Sequence, residues 1–159
     1  MYSIGDTVVH PMHGAGVIDG VEERRVSGVV STYYVFRVPL SGMRLMIPTE
    51  GCGAVGVRPL ICEREADELL AALPSVVCDC TANWNRRYRE NLEHLKSGNL
   101  LSVAIVIKGL LARDSSKGLS SGERDILRLA KQILISELAL SKNSTYEEIE
   151  ERVTDCLRS

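Results

Sequence analysis

Residues Gly51 to Pro74 read GCGAVGVRPLICEREADELLAALP, and the parsing of this stretch decides the fold. Its first six residues, Gly51-Cys52-Gly53-Ala54-Val55-Gly56, satisfy G-x-G-x-x-G, a pattern that cradles a pyrophosphate when it joins a strand to the N-terminus of a helix. Here Val57-Arg58-Pro59 follows instead. A proline at that point, in a β-prone surround, leaves no strand-turn-helix unit, so the glycines are read as tight turns and not as a nucleotide site. From Glu63 to Leu73 the apolar spacing is that of a short amphipathic helix stopped by Pro74. The chain therefore changes character at Arg58-Pro59, which divides it into residues 1–58 and 59–159.

Before the change lie Val17-Ile18, Val29-Val30, Tyr33-Tyr34-Val35-Phe36 and Met43-Arg44-Leu45-Met46-Ile47, short β-prone runs separated by Gly and Ser. Ser27-Gly28 and Ser41-Gly42 read as the tight turns. Four or five strands in so short a segment predict a small barrel or strongly bent sheet of the SH3 or Tudor kind. A β unit of this size buries proportionately little surface, so its stability is expected to depend on packing against the helices or a partner.

After the change the punctuation is helical. Asn83 to Lys96 is closed by Gly98, and Leu100 to Arg113 is strongly apolar. Ser120-Ser121-Gly122-Glu123 and Ser144-Thr145-Tyr146-Glu147 both match the capping box, in which a hydroxyl and a carboxylate satisfy the N–H groups of a first turn. They open a fourth helix to about Leu140 and a fifth to about Leu157. The expected architecture is a β module followed by an all-α bundle of about five helices. The acidic face of the last helix, with Glu147, Glu148, Glu150, Glu151 and Asp155, reads as solvated.

Net charge −2, with 45% hydrophobic and 25% charged residues, fits an ordinary globular protein and excludes disordered and fibrous classes. No apolar run of about 18 residues exists, and Met1-Tyr2-Ser3-Ile4-Gly5-Asp6 lacks the marks of a signal peptide, so a cytoplasmic protein is expected. The five cysteines, at 52, 62, 78, 80 and 156, form no framework and are expected to be reduced, as small buried or half-buried hydrophobes. Cys78-Asp79-Cys80 lacks the spacer and the second pair of a zinc site. His10 and His13 stand alone in a turn. No catalytic constellation is visible, so neither an enzyme nor a cofactor is expected.

The stretch Asn83-Trp84-Asn85-Arg86-Arg87-Tyr88-Arg89 holds the only tryptophan, among three arginines. On a helix Trp84, Tyr88, Leu92 and Leu95 fall within a sector about 80° wide, the stripe of a core anchor. Yet Asn83 or Thr81 is a natural N-cap, which puts Trp84 in the first turn, where a side chain can project past the helix end. Arg86, Arg87 and Arg89 add charge to a helix terminus already suited to anions. A core anchor and a wedge in a DNA minor groove are both compatible with this pattern. Three neutralised phosphates imply that affinity falls ~40-fold between 50 and 200 mM salt, so such a cluster needs a second anchor, which supplies an effective concentration of order millimolar.

Ile4-Gly5-Asp6-Thr7-Val8-Val9 with His13-Gly14, Arg58 at the end of the β part, Asn83-Trp84-Asn85-Arg86-Arg87-Tyr88, Leu119-Ser120-Ser121-Gly122-Glu123 and Leu134 to Leu140 together resemble the bacterial CarD/CdnL transcription regulators, from end to end and in order. The resemblance implies a Tudor-like module that binds the RNA polymerase β subunit by pairing an exposed strand. It also implies a helical domain that meets promoter DNA at the upstream edge of the transcription bubble, with the tryptophan wedged in the minor groove. Carried over by position, Trp84, Arg86, Arg87 and Arg89 are the DNA-binding residues, and Arg24, Phe36, Met46 and Pro48 the polymerase-binding ones. Some family members carry arginine at the position of Met46, so an apolar contact is expected here, with Arg24 or Arg44 supplying charge. The chain is expected to be a monomer associated with the nucleoid through polymerase, with a domain-swapped dimer left open. Two rival readings are an autonomous nucleoid-type DNA binder and a thiol-based metal or redox sensor using Cys78 and Cys80.

Overall fold

The computed structural model describes residues 2–39, 41–78 and 83–158. Five strands, β1 (Thr7–His10), β2 (Gly14–Val26), β3 (Val29–Arg37), β4 (Arg44–Pro48) and β5 (Arg58–Pro59), form one antiparallel sheet in the order β4-β3-β2-β1-β5. Val8 of β1, Ile18 of β2, Tyr34 and Phe36 of β3, Ile47 of β4 and Val57 beside β5 share one buried cluster. Residues at or beside both edges thus meet in one core, so the sheet curls around it as the expected small β unit should.

Two details differ from the strand reading. Val29-Val30 is not a strand of its own but the start of β3, because Ser27-Gly28 turns the chain directly from Val26 to its partner Val29. Ser27 and Gly28 both have positive φ, 53° and 80°, as a two-residue primed turn requires. Strand β1 carries no alternating pattern: Val8 and Val9 are both buried. Val8 faces the β core, whereas Val9 lies with Leu95, Val103 and Ile133 of the helices. A strand covered on both faces reads as a continuous apolar run.

The helices are α1 (Glu63–Ala72), α2 (Trp84–Lys96), α3 (Leu100–Ser116), α4 (Ser121–Ser141) and α5 (Tyr146–Arg158), with a short 3-10 turn at Leu73–Ser75 that contains Pro74. Each starts where a side chain can take up the unpaired N–H groups of a first turn. Asn83 Oδ1 accepts from Arg86 N–H at 2.9 Å, and Asn99 Oδ1 from Leu101 N–H at 2.9 Å. Ser120 and Glu123 form the expected capping box. The cap of α5 is one residue later than expected: Thr145 Oγ1, not Ser144, receives Glu148 N–H, at 3.2 Å. The same hydroxyl-to-glutamate spacing occurs in both registers, and spacing alone does not choose.

Helix α4 is the hub. It packs on α3, α5 and β2, and Ile133 to Ala139 are buried without a break, as expected of a helix enclosed on all sides. The β1–β2 hairpin is seated on it. Ala15 N–H donates to Ser136 Oγ at 3.0 Å, and Gln132 Nε2 donates to the His13 carbonyl at 2.9 Å. Gly14 at φ +84° comes so close that a Cβ there would stand 2.4 Å from Ser136 Oγ. Below it, Arg58 donates twice to the fully buried carboxylate of Glu137, both at 2.7 Å, and Ile61 N–H adds a third bond at 3.1 Å.

Candidate functional site

Helix α2 is fixed at its C-terminal end and open at its start. Leu95 is fully buried, Leu92 and Tyr88 pack against the helical core, and Trp84 at the first helical position is 44% exposed. The stripe seen in the sequence is real, but it climbs out of the core. Tyr88 passes beside Gly122, where even a methyl group would be in contact with its ring at 3.5 Å. Trp84 stacks on Tyr88, with centroids 5.1 Å apart and planes 17° from parallel. The indole is therefore held by one face on a braced tyrosine and offered to solvent at a helix N-terminus. Tyr88 was not singled out as a site residue, although its i,i+4 spacing from Trp84 carries the signal.

The three arginines beside it divide. Arg86 is exposed and donates to Glu90 at 2.8 Å, one turn on, a solvent-screened pair of small worth. Arg89 is exposed, with no ion pair among the described residues. Arg87 corrects the expectation of a third phosphate contact. Its side chain is 16% exposed and lies 3.4 Å from Glu123, a carboxylate buried at the start of α4. Arg113 of α3 approaches the same carboxylate at 3.5 Å. Helical phase turns Arg87 inward, where it bridges α2 to α4. That leaves Arg86 and Arg89 as the two outward arginines at this helix end.

On the β module, register sorts the other four residues. Pairs Arg24–Ser31, Glu22–Tyr33, Tyr33–Pro48, Val35–Met46 and Arg37–Arg44 put Arg24, Met46 and Pro48 on one face, with Tyr33 and Val35 between them. Arg24 and Pro48 are exposed, and Met46 is 38% exposed. Phe36 is a correction. It pairs with Leu45 on the opposite face, is fully buried, and covers Gly16 so closely that a Cβ there would stand 2.5 Å from its ring. Side chains alternate along a strand, so Phe36 cannot share a surface with Met46; it is the floor of the module. Strand β4 is the sheet's outer strand, and its far edge has no strand beside it among the described residues. Asp19 accepts from Arg37 at 2.9 Å and lies 3.6 Å from Arg44, which leaves Arg44 largely in solvent.

Comparison with known proteins matches both halves. Residues 2–61 match the CarD-like/TRCF RID domain, RID being the RNA polymerase-interacting domain, and residues 68–154 match the CarD C-terminal domain. The chain is 33% identical over 149 residues, 94% of its own length and 97% of the relative's, to a Bacillus subtilis (strain 168) protein named "Putative transcription factor YdeB". This chain belongs to the CarD family. It is accordingly a non-enzymatic member of a family of transcription factors, with an RNA polymerase-interacting domain ahead of a helical domain.

The family signature now has physical content. The glycine of His13-Gly14 is the point where the CarD N-terminal hairpin touches α4, Val8-Val9 is a strand covered on both faces, and Gly122 lies beside the Tyr88 ring. His10 and His13 sit at that hairpin with ring centroids 4.7 Å apart, and burial pulls both pKa values below the usual histidine range. The glycine-rich loop at Gly51 to Gly56 is a run of turns, closed by Val57 N–H on the Cys52 carbonyl at 3.1 Å. Of the Cys78-Asp79-Cys80 motif, only Cys78 lies within the described residues; its sulfur packs where a Cβ on Gly109 would be, at 2.6 Å. Among the described residues no cluster of His, Cys, Asp and Glu is arranged to hold a metal, and no helix is long and apolar enough to cross a membrane.

Proposed function

We propose that this CarD-family chain binds the RNA polymerase β subunit through residues 1–58 and stabilises the promoter open complex through residues 59–159, with Trp84 as a minor-groove wedge at the upstream edge of the bubble. The observation that carries this reading is the placement of Trp84: the sole tryptophan is exposed at a helix N-terminus, stacked on Tyr88, with Arg86 and Arg89 directed outward. An indole held by one face needs little further ordering to insert between bases, which keeps the entropic cost of binding low. Arg86 and Arg89 hold the flanking phosphates, with the helix N–H groups and dipole adding to their field.

The polymerase contact is assigned to the face that carries Arg24, Met46 and Pro48, and strand addition to the outer edge of β4. Once tethered there, two arginines and one wedge suffice, because the second contact is intramolecular. The regulator shifts the closed-to-open equilibrium only by its difference in affinity for the two states. One stacked aromatic is worth about 1–3 kcal/mol, so a shift of roughly 5- to 150-fold is the scale expected. The chain works as a cytoplasmic monomer on the nucleoid, through polymerase.

The test pairs two variants of the full chain with purified polymerase. Trp84→Ala is expected to bind polymerase as the parent does and to lose its effect on promoter opening, followed by permanganate reactivity of the unpaired bases. Met46→Glu is expected to lose polymerase binding itself. Tight binding of the parent to linear duplex without polymerase at physiological salt would instead support an autonomous DNA binder.

A further inference from the structure

Helices α2 and α3 are joined by residues 97–99 alone, so α3 turns back along α2 and its C-terminal end lies beside the first turns of α2. Arg87 of α2 and Arg113 of α3 accordingly reach the same carboxylate, Glu123, at 3.4 and 3.5 Å. A cleft of about 270 Å³ opens between the two helices at this point. Neither the wedge nor the polymerase contact uses it.

Cations dominate its polar lining. Arg87, Arg113 and Lys117 border the cleft with the His94 imidazole, and against them stands Glu90, which already accepts from Arg86 at 2.8 Å. Lys117 is exposed and has no ion pair among the described residues. Arg113 is poorly served by Glu123: its Nε is buried with no hydrogen-bond acceptor, while 31% of its side chain stays exposed. The positive end of the α2 dipole meets the negative end of the α3 dipole here, and the two offset each other. Side-chain charge therefore sets the sign of the cleft, which favours an anion.

The remaining wall is apolar, with Ile105, Leu110 and Ala112 along α3. Gly109 keeps that wall low, since a Cβ there would stand 2.6 Å from the Cys78 sulfur. Ile105 and Arg113 are eight residues apart on one helix, about 12 Å. An inorganic ion would leave this length empty. A phosphate monoester uses all of it, its dianionic head on the Arg113 fork and the Lys117 ammonium and its organic body along the apolar wall. The volume lies at the small end of the range for ligand sites, which fits one nucleoside monophosphate and excludes larger cofactors.

We propose that the α2–α3 cleft binds a phosphate monoester the size of a nucleoside monophosphate, with Arg113 and Lys117 at the phosphate and Ile105 and Ala112 against the organic body. Because α2 also carries Trp84, an occupant ties the helix of the wedge to α3. The effect of that tie on promoter opening rests on the reading of Trp84 above, whereas the binding site stands without it.

The experiment titrates adenosine 5′-monophosphate into the full chain by isothermal titration calorimetry, with adenosine and inorganic phosphate as separate arms. Two variants, Lys117→Glu and Arg64→Glu, change the net charge equally at exposed positions, and Arg64 on α1 lies outside the cleft. The parent is expected to bind one nucleotide per chain with a Kd of about 1 mM or below. Lys117→Glu should weaken this about tenfold or more, Arg64→Glu should stay within about twofold, and each fragment should bind the parent about tenfold more weakly than the whole nucleotide. Should Lys117→Glu lose helix by circular dichroism, Lys117→Gln carries the same comparison. No binding by the parent, equal loss in both variants, or a fragment as tight as the nucleotide overturns the inference. Weakened promoter opening by Lys117→Glu with no nucleotide bound by the parent would assign these cations to DNA phosphates, which overturns it as well. Failure of the Trp84→Ala test leaves the calorimetric result untouched, so the two readings fail separately.

Discussion

Helix α4 carries two buried glutamates on nearly the same side, 14 residues and about 21 Å apart, and they are satisfied very differently. Glu137 receives both prongs of Arg58 at 2.7 Å and the Ile61 N–H at 3.1 Å. Hydrogen bonding to that carboxylate raises the Arg58 pKa above its ordinary value. Glu123 faces two guanidiniums, Arg87 and Arg113, but at 3.4 and 3.5 Å, and Arg113 Nε is buried with no hydrogen-bond acceptor among the described residues. One carboxylate closes the joint between the β module and the bundle; the other holds α2 with imperfect geometry. Charge-assisted bonds strengthen steeply as geometry improves. On this geometry the joint between the two halves is held more firmly than the helix that presents Trp84.

The joint at Glu137 should be the most sensitive to substitution. Glu137→Ala leaves Arg58 without its anion, and breaking a buried pair costs 3–5 kcal/mol in general. Because Arg58 is a third exposed and can turn to water, about 3 kcal/mol is expected, a fall of roughly 6–12 °C in Tm for a chain of this size by calorimetry. Gly14→Ala attacks the same joint sterically, with a Cβ 2.4 Å from Ser136 Oγ and a backbone at φ +84°. It should cost about 2–3 kcal/mol. Gly118→Ala, at φ +76° with nothing near its Cβ, should cost about 1 kcal/mol in urea unfolding, the price of backbone strain alone.

The soft end should give smaller numbers and a different signature. Glu123→Gln keeps an acceptor for the Ser120 cap but loses the charge between two guanidiniums. About 1–2 kcal/mol of stability should go, and Trp84 fluorescence anisotropy should fall as α2 loosens; a larger loss than at Glu137 would reverse the ranking. Trp84→Ala removes a half-exposed ring and should change stability by less than about 1 kcal/mol. A core anchor would cost several times more, so a single chemical melt separates the two readings of this residue.

The smallest effect is set by pH. Burial lowers the pKa of His10 and His13 in the folded chain, so the unfolded chain binds protons first as pH falls. Their contribution to stability is complete above the ordinary histidine pKa of about 6.5 and is lost as pH drops below it. Stability should therefore decline modestly between pH 7 and pH 5, and His13→Asn should flatten that slope in a series of melts.

Much of this was legible in the chain itself. The turns at Ser27-Gly28 and Ser41-Gly42, the cap of α4 and the stripe from Leu95 to Trp84 are local features, set by backbone preferences and side-chain periodicity. The order of motifs also carried the family. What escaped was orientation. Phe36 reads as a surface residue and lies in the core, because a strand alternates its faces and only the pairing register says which face is outside. Arg87 reads as a phosphate contact and faces Glu123, thirty-six positions away, because helical phase matters only once a neighbouring helix is in place. Tyr33 and Val35 share the sheet face of Met46, with Val35 itself buried, and it is cross-strand pairing, which a strand's own sequence does not carry, that puts them there.

The helix caps, the tight turns and the order from strands to helices rest on interactions among residues a few positions apart, and these a sequence carries by itself. Only the tertiary structure decided which side chains face outward, that Gly14 and Arg58 lock the halves together on α4, and that Trp84 emerges from the core onto Tyr88. The outward faces and the joint depend on contacts between residues well separated along the chain, such as Arg87 with Glu123, Arg58 with Glu137 and Ala15 with Ser136, and local chain preferences carry no term for them.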